Sequence, residues 1–213
     1  NHMTDDDKTL ASAPAAPSAP ASNDPANITV TEPADALPEI GLDDLPQSLK
    51  DACARAGWDK LMPVQARSLP YLLAGREIMI QSRTGSGKTG AFVLPLIEHL
   101  DPYEHATQAL VLVPTRELAQ QVAREANTLF GDTGLKAVSV VGGASFREQL
   151  DAFAAGAHLV VGTPGRVLDH LIRRTLSLEG LRVLVLDEAD RMLSIGFYPD
   201  MKEVQRYLPK RRV

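Results

Sequence analysis

The chain holds 213 residues, 44% of them hydrophobic and 23% charged, with a formal net charge of −5; this is an ordinary globular composition, long enough for one well-buried domain plus a tail. No apolar run approaches the roughly 20 residues needed to cross a bilayer, and no basic region followed by an apolar core opens the chain, so neither a transmembrane helix nor a signal peptide is expected. The single cysteine, Cys53, excludes an internal disulfide and points to a reducing, cytoplasmic compartment, with the thiol as a small buried group on a helix.

Charge is unevenly placed. Residues 1–46 carry nine acidic side chains and one basic one, Lys8, whereas the remaining 167 residues carry 18 acidic and 21 basic. A mildly basic body under an acidic tail permits nucleic-acid binding without arguing for it, because such binding follows local patches rather than totals. Asn1-His2 reads as a cloning remnant ahead of a native start at Met3. Residues 1–38 hold six of the 15 prolines and no aromatic residue, a composition that cannot bury enough apolar surface to offset its ordering entropy, so this segment is expected to be a disordered tail.

From Gln47 the pattern becomes regular. Gln47–Ala56 and Pro63–Ala74 space their apolar residues as helices do. Five short runs rich in Val, Leu and Ile come next as expected strands: Glu77–Gln81, Gln108–Val113, Ala137–Val141, His158–Val161 and Arg182–Asp187. Amphipathic stretches separate or succeed them: Gly87–Leu100, Thr115–Phe130, Phe146–Ala155, Pro164–Arg173 and Pro199–Leu208. This alternation predicts an α/β fold, a mostly parallel doubly wound sheet with helices on both faces. Ligands of such sheets bind beyond the carboxyl ends of the strands, so the residues just after each strand matter most.

After the first run comes Ser82-Arg83-Thr84-Gly85-Ser86-Gly87-Lys88-Thr89 and then a helix. The strict phosphate-loop pattern wants Gly at Ser82, but the physics is intact. Gly85 and Gly87 let successive N–H groups face a triphosphate above a helix N-terminus. Lys88 would bridge the β- and γ-phosphates, and Thr89 would ligate Mg²⁺ through its hydroxyl. The last run ends in Asp187-Glu188-Ala189-Asp190: Asp187 is placed to hold Mg²⁺, and Glu188 to orient and deprotonate an attacking water. Together these two sites specify hydrolysis of a nucleoside triphosphate.

Two further runs lead into helix starts that carry an arginine, Pro114-Thr115-Arg116 and Thr163-Pro164-Gly165-Arg166, with Thr115 and Thr163 as N-caps. Gly142-Gly143 comes directly after a third. Free helix N–H groups, arginines and a close-approach glycine pair suit the phosphates of a nucleic-acid backbone.

In order and spacing, these motifs resemble the DEAD-box RNA helicases, from about Ile40 to the C-terminus. The resemblance implies the N-terminal RecA-like lobe (residues 39–213) of an ATP-dependent RNA helicase, with ATP and Mg²⁺ as ligands and RNA as partner. It makes Gly57-Trp58 through Gln65 the adenine-reading segment, with Gln65 on the base edge. It makes Pro114–Leu118, Gly142-Gly143 and Thr163–Arg166 the RNA-backbone contacts. It has Asp190 couple the nucleotide site to a downstream Ser-Ala-Thr segment, placed with the second lobe beyond Val213. An isolated lobe of this kind is expected to be a monomer that binds nucleotide without efficient turnover.

Three positions depart from the family pattern. Ser82 stands where Ala is usual, Leu61 where Pro is common, and Ile40 where an aromatic ring stacks on adenine. Because Ile40 lies just after the tail, it is expected to be ordered by the nucleotide. Trp58, the nearest aromatic, is expected to pack on the helix Pro63–Ala74. Two other readings stand beside the main one: a DNA-directed helicase of the same superfamily, and a non-catalytic RNA-binding or scaffolding module. Intact Lys88, Asp187 and Glu188 argue against the second.

Overall fold

Four of the five apolar runs pair as strands in a computed structural model that describes residues 34–210. Most of the acidic segment expected to be a disordered tail lies outside the described residues, and the folded unit begins at Leu37. The strands are β1 (Ala109–Leu112), β2 (Ala137–Val140), β3 (Leu159–Gly162) and β4 (Val183–Leu186), all parallel in the order β2-β3-β1-β4.

The helices are α1 (Gln47–Arg55), α2 (Pro63–Leu73), α3 (Lys88–His99), α4 (Arg116–Phe130), α5 (Phe146–Ala154), α6 (Pro164–Ile172), α7 (Ala189–Ser194) and α8 (Tyr198–Gln205), preceded by a 3₁₀ turn at Leu42–Asp44. The expected helices end within a residue or so of these bounds, except that the last one starts at Tyr198 and stops at Gln205. The short α7 was not legible, because six residues give too little periodicity to read.

Apolar clusters cover both faces of the central strand β1. Ala109, Val111 and Val113 point into one apolar cluster with Leu49, Cys53, Leu69, Leu94, Val122 and Phe130, from helices α1 to α4. Leu110 and Leu112 point into the other, with Val167, Leu171, Met192 and Val204 from α6, α7 and α8. Alternate residues of one strand thus serve opposite cores, as the period-two geometry of a doubly covered strand requires. Cys53 is fully buried, and burial pushes its thiol above the usual range.

One strand expectation fails. Glu77–Gln81 pairs with no strand among the described residues, and Met79 is 97% exposed. A ladder needs a neighbour that accepts and donates its hydrogen bonds, and the described sheet ends at β4. Among the described residues no helix is long and apolar enough to cross a membrane.

Candidate active site

The phosphate loop enters α3 through Gly87, whose φ of 90° lies in the left-handed region that favours glycine. No side chain caps α3, so the amides of its first turn are directed at whatever sits over the loop. Lys88 reaches back across the loop, donating from Nζ to the Ser82 carbonyl at 3.0 Å. The hydroxyls of Ser82 and Ser86 lie 2.7 Å apart, so the serine at the position where the pattern wants glycine closes the loop with a hydrogen bond. Arg83, Thr84 and Gly85 form the exposed tip, while Ser86, Gly87, Lys88 and Thr89 are half-buried.

Gln65 joins this loop from α2. Its amide is 1% exposed; Nε2 donates to the Gly87 carbonyl at 3.1 Å and Oε1 accepts from the Met62 amide at 2.9 Å. A side-chain amide offers two donor hydrogens and two acceptor lone pairs, so one of each remains. The Trp58 ring meets Gly90 in the first turn of α3, where a Cβ would collide with it and would stand 2.7 Å from Gln65 Nε2. The segment expected to read adenine and the phosphate loop are therefore packed against one another.

Asp187 comes directly after β4, its backbone N–H donating to the Leu112 carbonyl at 3.0 Å. Burial holds its carboxyl above the usual carboxylate range, opposed by the ammonium of Lys88 and reinforced by Glu188. Asp187 thus lies at the carboxyl end of β4 within reach of the Lys88 charge. Glu188 occupies the left-handed region at φ 52°, ψ 49°, a conformation that costs a non-glycine residue of order 1–3 kcal/mol and clusters at functional sites. Arg191, which sequence reasoning missed, pairs with its carboxylate at 3.3 Å; the signal was there in their i,i+3 spacing on a helix start. Asp190 is exposed at the start of α7.

The donor set fits Mg²⁺. A hydroxyl at Thr89 and a carboxylate at Asp187 are hard oxygen ligands, and no cluster of three or more His, Cys, Asp or Glu occurs among the described residues. Mg²⁺ is held by few protein oxygens together with substrate phosphates and water. A cation beside Asp187 would also offset the burial that now disfavours its charge.

A second group of expected residues gathers elsewhere along the same strand ends. Thr115 caps α4, accepting from the Leu118 amide at 3.2 Å. Thr163 holds the N-cap position of α6 but makes no side-chain cap bond, which corrects the expectation that both threonines cap alike; Pro164 supplies no N–H at the first helical position, so the helix start has one fewer donor to satisfy. Pro114 and Pro164 are buried, and Gly142 and Gly165 half-buried. Arg116 lies over Gly143: a Cβ there, at φ 76°, would stand 2.6 Å from Arg116 Nη1. Arg166 is drawn inward, donating to Gln149 Oε1 at 3.3 Å, Asp169 Oδ2 at 3.3 Å and the Ala144 carbonyl at 3.1 Å. The structure therefore brings Arg116, Gly143 and the α6 start together, with Arg116 exposed and Arg166 committed to internal partners.

Ile40 is half-buried against the apolar cluster that also holds Trp58. Its N–H donates to the Ala66 carbonyl at 3.1 Å, Glu39 pairs with Arg67 at 3.0 Å, and the Leu37 N–H donates to the Tyr71 hydroxyl at 2.9 Å. The expectation that a nucleotide must order Ile40 is thereby corrected: α2 already holds it.

Comparison with known proteins accounts for this arrangement. Residues 62–213 match the family described as DEAD/DEAH box helicase. The chain belongs to that family. It is 51% identical over 156 residues to the ATP-dependent RNA helicase DeaD of Escherichia coli (strain K12), covering 72% of this chain and 25% of that protein. The DeaD of Klebsiella pneumoniae is 49% identical over 162 residues, covering 75% and 25%. Among solved structures, a DEAD box protein from the hyperthermophile Methanococcus jannaschii superposes with a TM-score of 0.73 at 39% identity, covering 79% of this chain and 47% of that one. The RNA helicase Prp28 of Chaetomium thermophilum, bound to ADP, does so with a TM-score of 0.73 at 38% identity, covering 79% and 42%. The fold is thus that of the RecA-like domains of DEAD-box proteins, and the chain spans about a quarter of the length of the curated relatives it matches.

Proposed function

We propose that this chain is the nucleotide-binding lobe of an ATP-dependent RNA helicase. It holds ATP with Mg²⁺ and one stretch of RNA backbone, and in the full-length protein hydrolysis drives local separation of an RNA duplex. One observation carries the reading: Gly87, at φ 90°, turns the loop Ser82–Thr89 into the uncapped start of α3, with Lys88 folded back over the loop at 3.0 Å from the Ser82 carbonyl. The DeaD relatives, named as ATP-dependent RNA helicases, support the same reading.

Each residue then has a task. The uncapped amides over Ser82–Thr89 and the Lys88 ammonium bind the phosphates. Thr89 and Asp187 hold the metal, whose contribution when bound is to neutralise charge on the phosphate oxygens. Glu188, fixed by its backbone and by Arg191, orients water and takes its proton. The spare donor and acceptor of Gln65 match the paired acceptor and donor on an adenine edge. Arg116, Gly142, Gly143 and the helix start Thr163-Pro164-Gly165 bind phosphates of the RNA, while Arg166 holds the loop beside them. Asp190, exposed beside these groups, couples the site to the second lobe of the full-length helicase.

Calorimetric titration of this chain with ATP and Mg²⁺ tests the reading. Binding should weaken about tenfold or more in Lys88→Ala, the scale of a lost hydrogen bond to a charged group. Equal affinities for the two chains would overturn the assignment of the loop. The chain alone should neither unwind duplex RNA nor show strong RNA-stimulated hydrolysis, since the family resemblance places arginine fingers on the second lobe and such a finger supplies a rate factor of about 10³–10⁵ in other NTPases.

A further inference from the structure

Two buried polar side chains, Gln149 on α5 and His170 on α6, take no part in the roles above, yet they sit between the two RNA-facing segments. Gln149 is 4% exposed and His170 is fully buried. The Gln149 amide has a defined orientation, because its Nε2 donates to the Val141 carbonyl at 3.0 Å, an atom that can only accept. Its Oε1 must then accept twice, from Arg166 Nε at 3.3 Å and from His170 Nε2 at 2.7 Å. That choice fixes the hydrogen of His170 on Nε2, with Nδ1 facing the Thr175 hydroxyl at 2.8 Å.

The aromatic contacts reinforce the same joint. His170 stacks on Phe146 at 4.2 Å between ring centres and 8° between planes, and Arg166 and Arg173 each lie over the Phe146 ring at 5.0 Å. The consequence lies in which backbone atoms are gripped. Val141 immediately precedes Gly142-Gly143 and is held by Gln149. Ala144 immediately succeeds the pair and is held by Arg166 at 3.1 Å. A Cβ on Gly142 would meet nothing within 4 Å, and both flanks of the pair are held by one polar network.

We propose that Gln149 and His170 are positioning residues: they hold the Gly142-Gly143 loop in register with the α6 start, so that two successive backbone phosphates of RNA meet both at once. The inference rests on the reading of these segments as RNA contacts. Preorganised spacing is worth much in such a site, since a misplacement of about 1 Å can cost on the order of 10² in a positioned interaction. A packing role alone makes a different demand, because apolar residues of similar shape would then serve as well.

The test uses the full-length protein, with the concentration of single-stranded oligouridine giving half-maximal ATPase stimulation measured beside the KM for ATP. His170→Phe keeps the ring over Phe146 but removes the donor to Gln149 Oε1. His170→Gln gives up the stack but restores an N–H donor at the Nε2 position. Positioning predicts that His170→Phe and Gln149→Leu raise the RNA requirement about tenfold with an unchanged KM for ATP, and that His170→Gln stays within about twofold of the parent. A His170→Phe protein equal to or better than His170→Gln would overturn the proposal in favour of packing. Parallel losses for RNA and ATP, or loss of a cooperative melting transition in His170→Gln, would overturn it as a general fold defect. Arg116→Ala separates the two levels: if it leaves the RNA requirement unchanged, the underlying reading of these segments falls, whatever the Gln149 and His170 variants do.

Discussion

Gln65 in α2 donates its side-chain amide to the Gly87 carbonyl, 22 residues away, at 3.1 Å. The bond ties the residue expected to read the base to the glycine that turns the phosphate loop into α3. If Gln65 reads the base as proposed, this bond couples base recognition to the geometry of the loop.

Gln65→Leu should therefore have two effects. It strands the Gly87 carbonyl and the Met62 amide, a loss of about 1–3 kcal/mol, which for a chain of this size lowers Tm by about 2–4 °C per kcal/mol. It should also abolish the preference for ATP over GTP, measured by calorimetry. A variant that melts earlier but still discriminates the bases would leave Gln65 with a purely structural role.

Asp187 makes a pH-dependent prediction. Burial raises its carboxyl from the ordinary value near 3.8, so the folded chain binds more protons than the unfolded chain between that value and the raised one. Stability falls as pH rises through this window, and the full penalty persists above it. Asp187→Asn carries no charge to bury. At pH 7 without nucleotide it should melt higher than the parent, and the difference should close as pH drops toward 3.8. It should also lose the dependence of nucleotide binding on Mg²⁺. A lower Tm at pH 7 would show that the carboxylate is favourably held and that the burial argument is wrong.

Most of the fold was legible because a strand covered on both faces reads as a continuous apolar run and a helix as a three-to-four spacing. The features that could not be read depended on partners distant in sequence. Glu77–Gln81 has the residues of a strand, but strand formation belongs to a pair rather than a segment. Thr115 and Thr163 sit in similar local sequences, yet only Thr115 caps with its side chain, a difference that local sequence does not carry. The phosphate loop and the carboxylates after β4 were legible from chemistry alone. Gln65 was visible only through family resemblance, and Gln149 and His170 not at all: a glutamine and a histidine on amphipathic helices announce nothing until α5 and α6 are brought together.

Ile40 can be tested by giving it the ring that the family pattern carries. Stacking of a base on an aromatic side chain is worth about 1–3 kcal/mol. Isoleucine retains part of that contact, so Ile40→Phe should tighten adenine-nucleotide binding by roughly fivefold. The backbone bond to Ala66 already orders this position, so the gain should appear without a change in the folded boundaries seen by limited proteolysis. Equal calorimetric affinities for ADP would mean that the side chain never reaches the base.

ATP hydrolysis by the full-length protein, measured with single-stranded RNA and with DNA of the same sequence, separates an RNA helicase from the other readings. RNA should stimulate hydrolysis more than DNA, and Glu188→Gln should slow it about 10²-fold or more while ATP binding persists, as loss of a general base requires. Equal stimulation by DNA, or an unchanged rate in Glu188→Gln, would contradict the RNA-helicase reading.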